Sequence, residues 1–257
     1  MVRPFHTLYR VLGLVACAVF VAFIAAFRLE AQTIPLSYEC HRTTTPIRID
    51  GSLDDPAWKQ AKWTSDFVDI QGSGMPAPRF RTRVKMLWDD KYLYIAAELQ
   101  EPNVTATLLK HDSVIFHDND FEFFLKPLPQ TESYYEFEIN AFNTGWDLFL
   151  SKPYSEGGRP DSSWDIAGLK TAVAVQGTIN DAKDTDQGWT LEIAYPLDAF
   201  NSRQKVPLPQ AGTVWRVNFS RVEWKPGNPK EDNWVWSPQG VINMHVPNRW
   251  GYLRFDK

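Results

Sequence analysis

The chain has 257 residues, of which 44% are hydrophobic, 14% aromatic and 23% charged, with a formal net charge of −4. It is too apolar for a disordered chain and too polar for a multi-span membrane protein. The acidic balance gives no general attraction for phosphate, which argues against nucleic acid as a partner, and two cysteines make no disulfide scaffold.

The first element is an export segment. Arg3 and Arg10 precede an uninterrupted apolar run from Val11 to Phe27, and the small Ala31 follows. This basic, apolar, small order reads as a cleaved signal peptide over residues 1–31, or as an uncleaved N-terminal anchor that would be the one contact with a membrane. Either way the remainder is exported, to the periplasm, the cell surface or the medium. Residues 32–45 read as a leader, and 46–257 as one domain. Cys40 is the single thiol after residue 31 and reads as packed or idle. Asp55-Pro56-Ala57-Trp58 carries an acidic cap and a first-turn proline, which predicts one short N-terminal helix.

Beyond that point the pattern alternates. Val84, Met86 and Trp88 share one face, and Asp89-Asp90-Lys91 turns the chain into Tyr92 to Leu99, a hairpin. Further strands are predicted over 121–125, 134–142, 146–150, 169–175, 189–195, 214–223 and 250–255. Short strands at this spacing without intervening helices give an all-β fold, an antiparallel β-sandwich of jelly-roll or immunoglobulin-like type. Two long connections, 151–168 and 225–249, hold Trp164, Trp234 and Trp236, which makes these rings candidates for binding.

There is no phosphate-cradling glycine loop, nucleophile elbow or His-Glu-x-x-His. The strand acids carry more information. In 121–125, Glu122 and Phe124 lie opposite Phe121, Phe123 and Leu125. In 134–142, Glu136, Glu138 and Asn140 share one face, and in 214–222, Arg216, Asn218 and Ser220 lie opposite Trp215, Val217 and Phe219. These polar faces either meet water or bind hydroxyls. Acidic turns at Asp118 and Asp120 and at Asp184 and Asp186 are candidate calcium ligands.

Several ordered segments are similar to family 9 carbohydrate-binding modules, β-sandwiches that accompany xylan-degrading enzymes. They are Ile49-Asp50-Gly51-Ser52-Leu53-Asp54-Asp55-Pro56-Ala57-Trp58, Leu87-Trp88-Asp89-Asp90-Lys91-Tyr92, Asp118-Asn119-Asp120-Phe121-Glu122-Phe123-Phe124, Gly188-Trp189-Thr190-Leu191-Glu192 and Arg249-Trp250-Gly251-Tyr252-Leu253. The resemblance implies a sugar held between two aromatic rings, structural calcium and no catalysis. It places one ring at Trp236 and the other at Phe116, with Glu122 as a polar partner. The position where the family carries Arg falls near Glu138. Asn140 and Arg221 are further polar partners, and the ligand is a poly- or oligosaccharide of xylan or cellulose type. Two alternatives remain open. One is a glycoside hydrolase using two of Asp120, Glu122, Glu136 and Glu138. The other is a haem-binding sandwich with ligands such as His117, His245, Met86 or Met244.

Overall fold

The computed structural model describes residues 34–257 apart from Ser73, so the expected signal or anchor over 1–31 lies outside the described residues. Four strands come first: β1 (Ser37–Arg42), β2 (Val68–Asp69), β3 (Thr82–Trp88) and β4 (Tyr92–Gln100). The middle of the chain forms β5 (Asp120–Lys126), β6 (Tyr134–Asn140), β7 (Gly145–Leu150), β8 (Pro160–Asp161) and β9 (Lys170–Gln176). It closes with β10 (Gly188–Pro196), β11 (Val214–Glu223), β12 (Asp232–Val235) and β13 (Gly251–Phe255).

The fold is all-β, as the alternation predicts. Its strands join in the order β8-β7-β6-β5-β11-β13-β1-β3-β4-β10-β9, with β12 on β11 and β2 on β12. The sheet curls, because Phe123 of β5 meets Tyr195 of β10 at 5.7 Å although the two strands lie far apart in that order. Alternation in β5 and β11 sends Phe121, Phe123 and Phe219 to the inner face. There Phe219 stacks on both phenylalanines, with centroids 5.8 and 5.5 Å away. Val84, Met86, Leu191 and Ile193 fill the same core from the other half.

Three expectations need correction. First, residues 37–42 are not a leader. They form β1, which pairs parallel with β13 on one side and β3 on the other and so joins the two halves of the sheet. Cys40 is fully buried there. Second, the sheet is therefore not purely antiparallel. Third, the predicted short helix is a single 3-10 turn over Pro56–Lys59. The Asp55 carboxylate accepts the Arg48 backbone N–H at 2.7 Å instead of capping a helix. Strands β2, β8 and β12 are too short for a period of two to register in the sequence.

Arg221 ties the halves together. Although it was expected to bind ligand, it is 1% exposed and points into the core. Its guanidinium donates to Glu223 at 2.8 Å, to Glu101 at 2.5 Å and to the Gln100 carbonyl at 2.8 Å. One cation thus serves two buried carboxyl groups, and burial pushes Glu223 up to about 8. Because this folded value lies above the ordinary 4.5, the stabilisation is complete below about pH 4.5 and is lost as pH rises through about 8. Wild-type stability should therefore fall across this window by up to about 1.4 kcal/mol per pH unit on account of this group. Glu223→Gln should lack that component, which urea unfolding at stepped pH would show. A constant difference between the two pH curves would contradict the assignment.

Candidate functional site

The outer face of the same strands carries the acids. Register pairs Glu122 with Glu138 and Phe124 with Glu136 across β5 and β6. Across β6 and β7 it pairs Glu138 with Trp146 and Glu136 with Leu148, and across β11 and β5 it pairs Ser220 with Glu122. One row therefore runs Ser220, Glu122, Glu138, Trp146, with Phe124, Glu136 and Leu148 in the row beside it. These side chains face away from the core because Phe121, Phe123, Phe137 and Ile139 occupy its side.

The rows do not meet bulk water. Segments around Phe116, Tyr154 and 242–245 close over them and leave an open pocket of about 440 Å³, lined also by Glu231, Asn233, Ile242, Met244 and His245. Phe116 and Tyr154 stay partly exposed at 38% and 40%. Asp120, Glu122, Glu136 and Glu138 are all buried. Burial and mutual repulsion raise Asp120, Glu136 and Glu138 well above the carboxylate range, and burial takes Glu122 to about 7. His245 gives no compensating charge, since burial lowers it to about 4. Its Nδ1 is shared with the Tyr134 hydroxyl at 2.8 Å. Among the described residues, no Lys or Arg lines the pocket. Asp120 Oδ2, Glu122 Oε2, Glu136 Oε2 and Trp146 Nε1 are buried without hydrogen-bond partners. The site therefore offers carboxyl groups, which accept hydrogen bonds and donate them when protonated, beside aromatic rings.

Of the residues expected to bind, the structure brings Phe116, Glu122 and Glu138 to this pocket. The Phe116 backbone N–H donates to Glu138 Oε2 at 3.0 Å, which fixes that loop to the acid row. The others lie elsewhere. Trp164 and Trp234 are 3% exposed in the core: the first donates to Ser202 Oγ at 2.8 Å, and the second lies under the Arg221 guanidinium. Asn140 is fully buried. Its amide donates to the Leu108 carbonyl and Asp118, and its oxygen accepts the Phe142 and Thr144 backbone N–H groups. It pins a turn and has no group left for a ligand.

Trp236 is the largest correction. It is 2% exposed, its backbone N–H donates to the Phe219 carbonyl at 3.1 Å, and its ring packs against Phe219. A Cβ at Gly251 would come within 2.4 Å of this ring, so the glycine makes room for the indole. No face of it is free to stack on a sugar.

The acidic turns also differ from expectation. Both Asp118 oxygens accept hydrogen bonds, from Thr107 and from the Leu108 backbone. Both Asp186 oxygens accept backbone N–H groups, from Val104 and Thr178, and Asp184 accepts the Thr178 hydroxyl. Asp118, Asp184 and Asp186 therefore brace loops, and among the described residues none of them belongs to a close cluster of three or more possible metal ligands. Among the expected haem ligands, Met86 is sealed in the core while Met244 and His245 reach the pocket.

Sequence reasoning missed Trp146 and Tyr154, and named Glu136 only for a hydrolase pair and His245 only as a haem ligand. A signal for Trp146 existed. A tight turn at Phe142-Asn143-Thr144, with Asn143 at φ 61°, sets Glu138 opposite Trp146. Tyr154 lies in a loop whose path no periodicity reveals.

The burial of Trp236 predicts that Trp236→Ala costs about 3–5 kcal/mol of folding stability, measured by denaturant unfolding. An unchanged midpoint would place the indole outside the core.

The model of the family described as carbohydrate family 9 binding domain-like matches residues 49–257. Endo-1,4-beta-xylanase C of Paenibacillus barcinonensis is 28% identical over 158 residues, covering 61% of this chain and 12% of that enzyme. Endo-1,4-beta-xylanase A of Thermoanaerobacterium saccharolyticum is 28% identical over 171 residues, covering 66% of this chain and again 12% of the enzyme. The chain thus spans only a small part of these curated relatives. Among solved structures, a Bacteroides uniformis protein whose assignment to carbohydrate binding is inferred aligns with TM-score 0.68 at 18% identity, over 87% of this chain and all of that one. A family 9 module from Caldicellulosiruptor kristjanssonii in complex with cellotriose aligns with TM-score 0.59 at 17% identity, over 86% and 93% of the two chains. With the family model covering nearly all of the folded part, the chain belongs to the carbohydrate family 9 binding domain-like family.

Proposed function

We propose that this protein binds oligosaccharide without cleaving it, in the pocket over Glu122, Glu136, Glu138 and Trp146. The observation that carries this reading is the row of Glu122, Glu136 and Glu138 lining one pocket beside Trp146, beneath the partly exposed rings of Phe116 and Tyr154. A sugar presents the complementary surface, with apolar C–H faces for rings and rim hydroxyls for acceptors. The pocket volume of about 440 Å³ is of the size small ligands occupy. Homologous modules in complex with cellotriose and with glucose support a neutral gluco-configured ligand. The acids all rise from one face of adjacent strands, on the same side of any ligand. This suits gripping better than a hydrolase pair, which must flank the scissile bond.

The wider role follows from sequence and relatives. The basic and apolar start supports export, and the relatives named as xylanases support a place beside polysaccharide-cleaving enzymes of the xylan or cellulose class. The two facing halves of the curled sheet support a jelly-roll-like sandwich as the scaffold. With few contacts, affinities between millimolar and micromolar are expected, about −4 to −8 kcal/mol.

Calorimetric titration with cellotriose and xylo-oligosaccharides tests the site. Tyr154→Ala should weaken binding by about 1–3 kcal/mol and Phe116→Ala by somewhat less, both with near-native melting temperatures because the rings are partly exposed. Unchanged affinity in both variants would move the sugar to another surface.

A further inference from the structure

The acid row holds more carboxyl oxygens than its neighbours satisfy. Asp120, Glu122 and Glu138 each offer one carboxylate oxygen, and the three oxygens lie within 4.8 Å of one another. Two oxygens on one calcium ion, each at about 2.4 Å, can stand up to about 4.8 Å apart, so every pair among the three falls within the span of one ion. All three residues are more than nine-tenths buried. Asp120 Oδ2 and Glu122 Oε2 have no hydrogen-bond partner, and neither has the nearby Ser220 Oγ. Unpaired buried carboxylate oxygens are costly, and here neither a protein cation nor a donor offsets that cost. The orphaned oxygens are also closed to a water-sized sphere, which favours a small ion over an ammonium group or a ligand ring.

We propose that Asp120, Glu122 and Glu138 hold one divalent cation of the calcium class beneath the pocket floor, and that the ion strengthens sugar binding. An all-oxygen, anionic and irregular donor set suits calcium better than magnesium, which demands near-ideal octahedral geometry. Asp120 anchors the ion from below, where its Oδ1 already accepts the Val222 backbone N–H at 3.1 Å. Glu122 and Glu138 belong both to the ion and to the pocket wall. A bound ion keeps these two carboxylates charged and fixed, ready to accept hydroxyl hydrogen bonds. This coupling rests on the reading of the pocket as a sugar site, whereas the ion site itself does not.

The test is a calcium titration of the chelator-treated full chain, followed by calorimetry and thermal melting. One equivalent should bind and raise the melting temperature. Asp120→Asn and Glu122→Gln should each weaken calcium at least tenfold while retaining a cooperative unfolding transition. Failure of calcium, magnesium and manganese to bind saturably would overturn the proposal. So would calcium binding that survives in both variants, because the ion would then sit elsewhere, as at His111, Asp112, Asp147 and Asp165. Cellotriose titrations with calcium and with chelator separate the two readings. Affinity at least tenfold weaker in chelator supports the coupling, and equal affinity overturns it. Calcium bound with no sugar in either condition would defeat the sugar reading and leave the ion site standing.

Discussion

The stacking of Phe121, Phe123 and Phe219 on the inner face of β5 and β11 sets the phase on which everything else depends. Side chains in a strand alternate, so committing these rings to the core commits Asp120, Glu122 and Phe124 to the opposite face. A slip of one residue would drive Glu122 into a wall of phenylalanine, at a cost that no register of this sheet can absorb. The hydrogen-bonded partners then carry the phase sideways. Phe137 faces the core opposite Phe123, so Glu138 stands beside Glu122, and Trp146 follows on the next strand. The acid row is thus a consequence of the aromatic core.

Such a row is a burden on folding. Four carboxyl groups are held together away from water, with burial opposing their charge and each repelling the next. A sheet designed only for stability would put apolar residues here, as this sheet does a few positions along, where Phe124, Leu148, Leu150 and Trp250 pack together. The change from apolar to acidic on one continuous face coincides with the pocket proposed to hold the ligand. Strain of this kind concentrates at functional sites, and the large core from both halves of the sheet offsets it.

Much of this was legible in the sequence wherever a period of two was long enough to register. The hairpin of β3 and β4, strand β11 and the two faces of β5 and β6 follow from alternation alone. Phe116, Glu122 and Glu138, which the family resemblance pointed to, come together in the lining of one pocket. What failed depended on tertiary context. β1 has no amphipathic pattern long enough to separate it from a leader, yet it pairs on both edges and joins the two halves of the sheet. Trp236 follows β12 in a segment rich in proline and glycine, which reads as a loop. Its burial depends on the missing Cβ of Gly251, a residue close to it only after β13 docks. Arg221 alternates with the core residues of β11 and should have read as inward-facing, but a buried arginine becomes plausible only once Glu101 and Glu223 are seen to meet it.

The loss of the expected ring at Trp236 changes how the site must recognise its ligand. With two exposed tryptophans, stacking would dominate and hydroxyl pattern would matter less. Here the partly exposed rings are Phe116 and Tyr154, which offer smaller faces, so more of the discrimination falls on the polar floor. That floor is built of carboxyl groups, with no basic side chain among the described lining residues. A ligand that brings many hydroxyl donors in a fixed pattern satisfies it. A sugar acid would bring a charge into this buried row and lose hydration there with no basic side chain in the lining to meet it. On the proposed reading, the burial that makes the acid row costly to fold would also favour neutral, hydroxyl-rich chains over acidic ones.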